Sequence, residues 1–172
     1  MKFFAKGRRG YIYREGNIAK KITNPKSKAI NRIQNEIKFL KILNKYNIGP
    51  KLLKSGKDYF TYEFVEGQYM DQWWKKANIK QKIKVCKNLL HQCYILDKLG
   101  IIKEDMHRPS KNVVIKKYNV PVLIDFERCH YGEGKNVTQL LQFMGNNLIP
   151  RNKAIKLAKK YSKEKTISFF PF

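Results

Sequence analysis

Residues 101–115, IIKEDMHRPSKNVVI, set an acid, a histidine, an arginine and a proline between two apolar runs. A polar loop flanked in this way is either a surface turn or a site. The second run, NVVI at 112–115, is followed after KKYN (116–119) by VPVLI (120–124), and the two read as a hairpin of short buried strands. In an antiparallel pair, the residue that opens the first strand and the residue that follows the second are neighbours. Here those residues are Asn112 and Asp125. An amide oxygen beside a carboxylate forms a hard-oxygen site suited to a magnesium ion carrying phosphates. Both residue types are also common turn formers at strand ends.

Upstream, YIYREGNIAKKI (11–22) alternates around Glu15-Gly16-Asn17, which predicts a β-hairpin, and KGRRG (6–10) is a short basic loop with two glycines before it. A helix is expected from Asn24-Pro25, with Asn as cap and Pro in the first turn, to the stop signals Asn47, Gly49 and Pro50. Within it Ile33, Leu40 and Leu43 share a face, and Glu36 shares or borders that face. A carboxylate there requires a partner or a route to water. The basic candidates are Lys20 and Lys21, and alternation with Ile18 and Ile22 does not choose between them.

Further along, KLLKSG (51–56) and YFTYEFV (59–65) predict two more strands, and VEGQYM (65–70) a connector. Apolar residues at 79, 83, 86, 90 and 93 predict a helix closing at Gly100. NVTQLLQFM (136–144) predicts a packing helix. The last 21 residues predict a basic amphipathic helix with Ala154, Leu157, Ala158 and Tyr161 on one face, followed by Phe169, Phe170 and Phe172 docked on the body.

With 172 residues, 42% of them hydrophobic, the chain has the apolar surface to fold, which excludes a disordered class. Its formal charge of +24 draws phosphate, on nucleotides, nucleic acid or lipid. Up to Glu66 there are 16 Lys and Arg against 5 acids, and beyond it 21 against 8, so the excess is spread through the chain. Cys86, Cys93 and Cys129 lack metal-ligand spacing and read as core residues. MKFFAKGRRG does not read as a signal peptide and no apolar run is long enough for a transmembrane segment, so a reduced, cytoplasmic protein is expected.

In order, NIAKKI, Glu36 placed 15 residues after Lys21, YEFVEG, DMHRPSKN and LIDFE resemble the motifs of the protein-kinase-like superfamily, from residue 7 to about 128. NEIKFLKILNKYNIGPKLL, LDKLGI and NVTQLLQF are similar to its small archaeal members, akin to the RIO kinases and the kinase of the KEOPS tRNA-modification assembly. The resemblance implies an α+β, protein-kinase-like fold, with a strand-rich N-lobe holding one main helix at 1–66 and a truncated helical C-lobe at 67–172. It implies an ATP- and Mg2+-dependent phosphotransferase acting on a hydroxyl acceptor, protein Ser/Thr by the family's habit.

Residue by residue, the resemblance puts Lys21 at the lysine that holds the phosphates and pairs with Glu36. Gly7, Arg9 and Gly10 fall in the phosphate cover, with two glycines where the family has three, and the backbone of Phe64 and Val65 falls at the adenine. Asp105 falls at the base that accepts the hydroxyl proton, and Asn112 and Asp125 at the metal ligands. Two departures stand out. Asn112 follows Asp105 by seven positions where the family has five, and Glu127 replaces the glycine of the family's D-F-G, as in the I-D-F-[DE]-R of bacterial lipopolysaccharide-core kinases. His107 and Arg108 read as structural loop residues. The altered spacing and the charge also frame a second reading, a non-catalytic kinase-fold module that binds RNA or another partner. A third is a kinase of a non-protein acceptor such as a sugar or lipid.

Overall fold

A computed structural model of the chain describes residues 1–6, 10–24, 31–168 and 170. The architecture is mixed α+β, with an antiparallel sheet and five α-helices among the described residues. Two compact units divide the chain: Met1–Glu66 with Leu123–Cys129, and Gly67–Val122 with His130–Phe172. Residues 123–129, expected in the second lobe with the rest of 67–172, therefore belong with the first.

In the first unit, strands β1 (Lys2–Lys6), β2 (Gly10–Glu15) and β3 (Ile18–Thr23) precede helix α1 (Arg32–Leu43), and β4 (Leu52–Ser55) and β5 (Tyr59–Glu63) follow it. They form one antiparallel sheet in the order β1-β2-β3-β5-β4. The two-residue Gly16-Asn17 turn joins β2 to β3 in the expected hairpin, with Glu15 opposite Ile18. Side chains alternate along a strand. Ala19 is buried and Lys21 shares its face, whereas Ile18, on the opposite face, is 42% exposed. Ile18 and Ile22, whose alternation left the inner face of β3 open, therefore lie on the face opposite Ala19, and the face of Ala19 is the one on which α1 packs.

Helix α1 buries Ile33, Glu36, Ile37, Phe39, Leu40 and Leu43. It starts later than expected. Asn31 has a left-handed φ of +57°, which interrupts a helix, so α1 begins at Arg32; residues 25–30 lie outside the described part of the chain. At the other end, after a 3-10 turn at Asn44–Tyr46, the Asn44 amide donates to the carbonyls of Ile48 and Pro50, and its oxygen accepts from the Leu52 amide at 2.8 Å. One side chain thus steers the chain from helix to strand.

The segment 123–129 packs on the same unit for identifiable reasons. The Asn35 amide donates to the carbonyls of Glu127 and Cys129, and Arg32 donates to that of Glu127. Phe126, fully buried, lies where a Cβ on Gly49 would come within 2.8 Å of its ring, so Gly49, at φ +82°, makes room for it.

The second unit opens with β6 (Gln68–Tyr69) and α2 (Met70–Lys76), short elements in place of the expected plain connector. Helix α3 (Ile79–Lys98) has a capping box in which the Asn78 side chain accepts from the Gln81 amide and the Gln81 side chain accepts from that of Asn78. Its core face is Val85, Cys86, Leu89, Leu90, Cys93 and Leu96. The predicted residues 86, 90 and 93 are on it, but Ile79 and Ile83 are exposed. Then follow β7 (Ile101–Ile102), the hairpin strands β8 (Val113–Lys116) and β9 (Val120–Leu123), β10 (His130–Tyr131), α4 (Asn136–Asn147) and α5 (Arg151–Glu164). Strands β6, β8 and β9 make one small sheet, and β7 and β10 another.

Helices α3, α4 and α5 meet at a polar node. Asp97 accepts from the Asn136 amide (2.9 Å), the Asn136 side chain (2.6 Å) and the Tyr161 hydroxyl (2.9 Å), while the Asn136 oxygen accepts from the Lys103 amide. Burial and the Asp97 carboxylate both raise the Tyr161 pKa, so the phenol donates at any working pH. Ala154 and Tyr161 are the buried residues of α5, on the face expected; Phe169 and Phe172 lie outside the described residues.

The cysteines are free and buried. Burial pushes the Cys86 thiol up to about 12 and also raises that of Cys93, so neither forms a thiolate near neutrality. Iodoacetamide at pH 8 should leave both unlabelled in the native protein and alkylate both in urea, read by mass spectrometry. Labelling at native rates equal to those in urea would contradict this packing. No helix among the described residues is long and apolar enough to cross a membrane.

Candidate functional site

Four charged side chains converge within the first unit. Lys21, on β3, reaches Glu36, on α1, with Nζ 2.6 Å from Oε2. The same ammonium lies 3.5 Å from Asp125 Oδ1 and 3.6 Å from Glu127 Oε2. The other Glu36 oxygen accepts from the Phe126 amide at 3.3 Å, which ties the carboxylate to the backbone between the two acids. Lys20, the alternative partner, lies with its ammonium 4.3 Å from the centre of the Tyr59 ring. The choice between the two lysines is thereby made in favour of Lys21.

Burial lowers the Lys21 pKa, but the carboxylates of Glu36, Asp125 and Glu127 together outweigh it and raise the lysine's pKa. Burial also pushes the Glu36 carboxyl up, with Asp125 acting in the same direction and Lys21 opposing. The charge state of Glu36 depends on the lysine.

One oxygen from each of Glu36, Asp125 and Glu127 can be chosen so that all lie within 4.8 Å of one another. Of the three, Glu36 is engaged by Lys21 and the Phe126 amide through both of its oxygens, while Asp125 and Glu127 stand 3.5 and 3.6 Å from the same ammonium. The Asp125 side chain is 47% exposed and Glu127 12%, so one is open to solvent and one is held. Hard carboxylate oxygens beside an ammonium fit a divalent cation of the magnesium kind.

The remaining predicted residues are distributed as follows. Gly7 and Arg9 lie outside the described residues. Gly10 is buried, and a Cβ there would meet the Ile22 carbonyl at 2.8 Å. The Phe64 amide donates to the Asn17 carbonyl at 2.8 Å, and the Arg14 guanidinium stacks 3.7 Å above the Phe64 ring; Val65 follows, partly buried. Asn112 and Asp125, read as neighbours, fall in different units, with Asn112 in the second after a 3-10 turn at Pro109–Lys111. Asp105 is also in the second unit, exposed, with its carbonyl accepting from the Arg108 amide. Next to it, Met106 is buried and its amide donates to the Gln139 side chain of α4.

Asp105 and Asp125 both have left-handed backbones, at φ +67° and +63°. Aspartate tolerates this region better than most residues, at a cost a plain loop would avoid. The residue missed from sequence is Glu127, read there only as a departure from glycine. Its signal was its spacing: two positions after Asp125, with the buried Phe126 between them. Compared with protein-family models and with curated proteins, the chain matches none.

Proposed function

We propose that the chain is an ATP-dependent phosphotransferase of protein-kinase-like fold, with protein Ser/Thr as acceptor. The observation that carries this reading is the Lys21 ammonium held by Glu36 and bordered by Asp125 and Glu127. An ammonium fixed in this way is a point charge ready for phosphate oxygens, and two carboxylates next to it suit the cation that accompanies a nucleotide. The sequence resemblance assigns the same roles to Lys21, Glu36 and Asp125, and the geometry adds Glu127.

In the transfer, the acceptor oxygen bonds to the γ-phosphorus, the bond from that phosphorus to the bridging oxygen breaks, and the hydroxyl proton leaves. Lys21 neutralises phosphate charge; Glu36 holds Lys21 on that heading. Magnesium, when bound by Asp125 and Glu127, would supply further neutralisation. The resemblance assigns the proton to Asp105 and a metal contact to Asn112. Such chemistry rests on positioning and charge far more than on covalent steps.

The test is transfer of labelled γ-phosphate from Mg-ATP to the protein itself and to a generic basic protein. Asp105→Ala, an exposed position, should keep the circular dichroism spectrum and lower incorporation by about 10²–10⁴-fold. Incorporation undiminished in the variant would remove Asp105 from the mechanism. Neither transfer nor phosphate release by folded wild type would favour a non-catalytic binding module.

A further inference from the structure

The second unit carries a basic face that the proposed phosphotransfer does not use. No acid occurs between residues 72 and 96 or between 106 and 124, stretches that meet in space. Along α3, Lys80, Lys84, Lys87 and His91 are exposed and recur at helical spacing, so they form one row. Beside it runs the β8–β9 hairpin. Lys84 Nζ donates to the Tyr118 carbonyl at 3.0 Å, and Gln92, bonded to Asn88, donates to the Pro121 carbonyl at 3.0 Å. These bonds set Lys116, Lys117 and Tyr118 at the edge of the lysine row.

Tyr118 is the unusual member. The residue is 84% exposed, and its backbone sits at φ +62°, ψ +20°, a conformation that suits glycine or asparagine and penalises an aromatic residue. Asn119 follows at φ +60°, where asparagine is tolerated. A ring that neither packs nor suits its turn has no structural reason to be there. Strain of this kind collects where a side chain is presented to something else.

We infer that this face binds single-stranded RNA, with phosphates along the lysine row and an unstacked base on the Tyr118 ring. Lysines supply the charge for a phosphate chain, and a projecting aromatic ring supplies the stacking platform that single strands offer bases to and duplexes do not. An anionic membrane is the poorer fit. Binding to a bilayer uses a continuous apolar helix face, and on α3 the run from Val85 to Leu96 is occupied by the core, which leaves only Ile79 and Ile83 exposed at its start.

The test uses the full chain and a fluorescein-labelled oligouridine of 12 nucleotides, read by anisotropy over a series of KCl concentrations. Tyr118→Gly should weaken binding about 5- to 100-fold with little change in salt dependence. Glycine suits the positive φ, so this variant keeps its melting temperature, and weaker binding cannot be ascribed to unfolding. Lys80→Gln/Lys87→Gln should lower the salt slope by about 1.4, the value for two phosphate contacts on a single strand. Removing the same charge from α5, by Lys156→Gln/Lys159→Gln, should leave affinity within about twofold, since these exposed lysines belong to a different helix from the α3 row and the hairpin. Equal losses from the two lysine pairs, unchanged binding by Tyr118→Gly, equal affinity for a duplex, or binding to phosphatidylserine vesicles without binding to RNA would each overturn the proposal.

Discussion

Lys21→Ala should destabilise the first unit by about 3–5 kcal/mol, the cost of leaving one member of a buried ion pair alone. Glu36 is 4% exposed and has no second cation among its described contacts, so without Lys21 its charge faces burial, Asp125 and Glu127. Both tryptophans, Trp73 and Trp74, belong to the second unit, so their fluorescence reports on that unit. The loss should appear instead as faster hydrogen exchange of the β3 amides. It should also depend on pH. In the variant the Glu36 pKa is raised further, chiefly by burial now unopposed, so the folded state keeps a proton that the unfolded chain releases near its ordinary carboxyl value. The unfolded state then binds fewer protons, and stability falls as pH rises through that window. The defect should therefore be milder near pH 4 than at pH 7. A double variant, Lys21→Met/Glu36→Leu, should recover much of the stability, because an apolar pair can replace a buried ion pair, yet it should not recover ATP binding. Recovery of both would reduce the ion pair to a structural device.

Asp125→Ala should leave the fold intact and abolish magnesium-dependent ATP binding, with any residual transfer lowered by about 10²–10³-fold, the usual effect of removing one electrostatic contact in a preorganised site. The side chain is 47% exposed and its removal opens no core cavity, but alanine is strained at φ +63°, so Asp125→Asn, which suits that backbone, is measured beside it to separate lost binding from lost stability. Calorimetry with ATP, with and without magnesium, separates the outcomes. Weaker binding only when magnesium is present places the carboxylate on the cation. Equal weakening in both conditions would place it elsewhere, and unchanged binding would count against the proposed site as a whole. Glu127→Gln is the natural comparison, since its oxygen stands 3.6 Å from the same ammonium.

The legible parts of this protein share one property, which is that their signal is local. The Gly16-Asn17 hairpin, the long α3 closing at Gly100 and the apolar stripe of α1 were readable because alternation, a helix-ending glycine and 3.6-residue spacing each report on a few neighbouring positions. Elements two residues long, such as β6, β7 and β10, exist by virtue of their partners and leave no period to read. The late start of α1 has the same origin, since Asn24-Pro25 carries a good helix-start signal while Asn31 takes a left-handed turn. For the candidate site, chain order brought out Lys21, Glu36 and Asp125, but nothing local marked Glu127 as their neighbour.

By itself the sequence determined the α+β class, the excess of positive charge, the stripe on which Glu36 rides and the acids offered as ligands. Only the tertiary structure decided that residues 123–129 belong with the first unit and that Asp125 and Glu127 close around the same ammonium, and it turned Lys21 toward Glu36, a choice that alternation along β3 left open. A strand's alternation is symmetric between its two faces. What breaks that symmetry is the helix packed on one of them, and helix and strand here are joined through residues 15 or more positions apart.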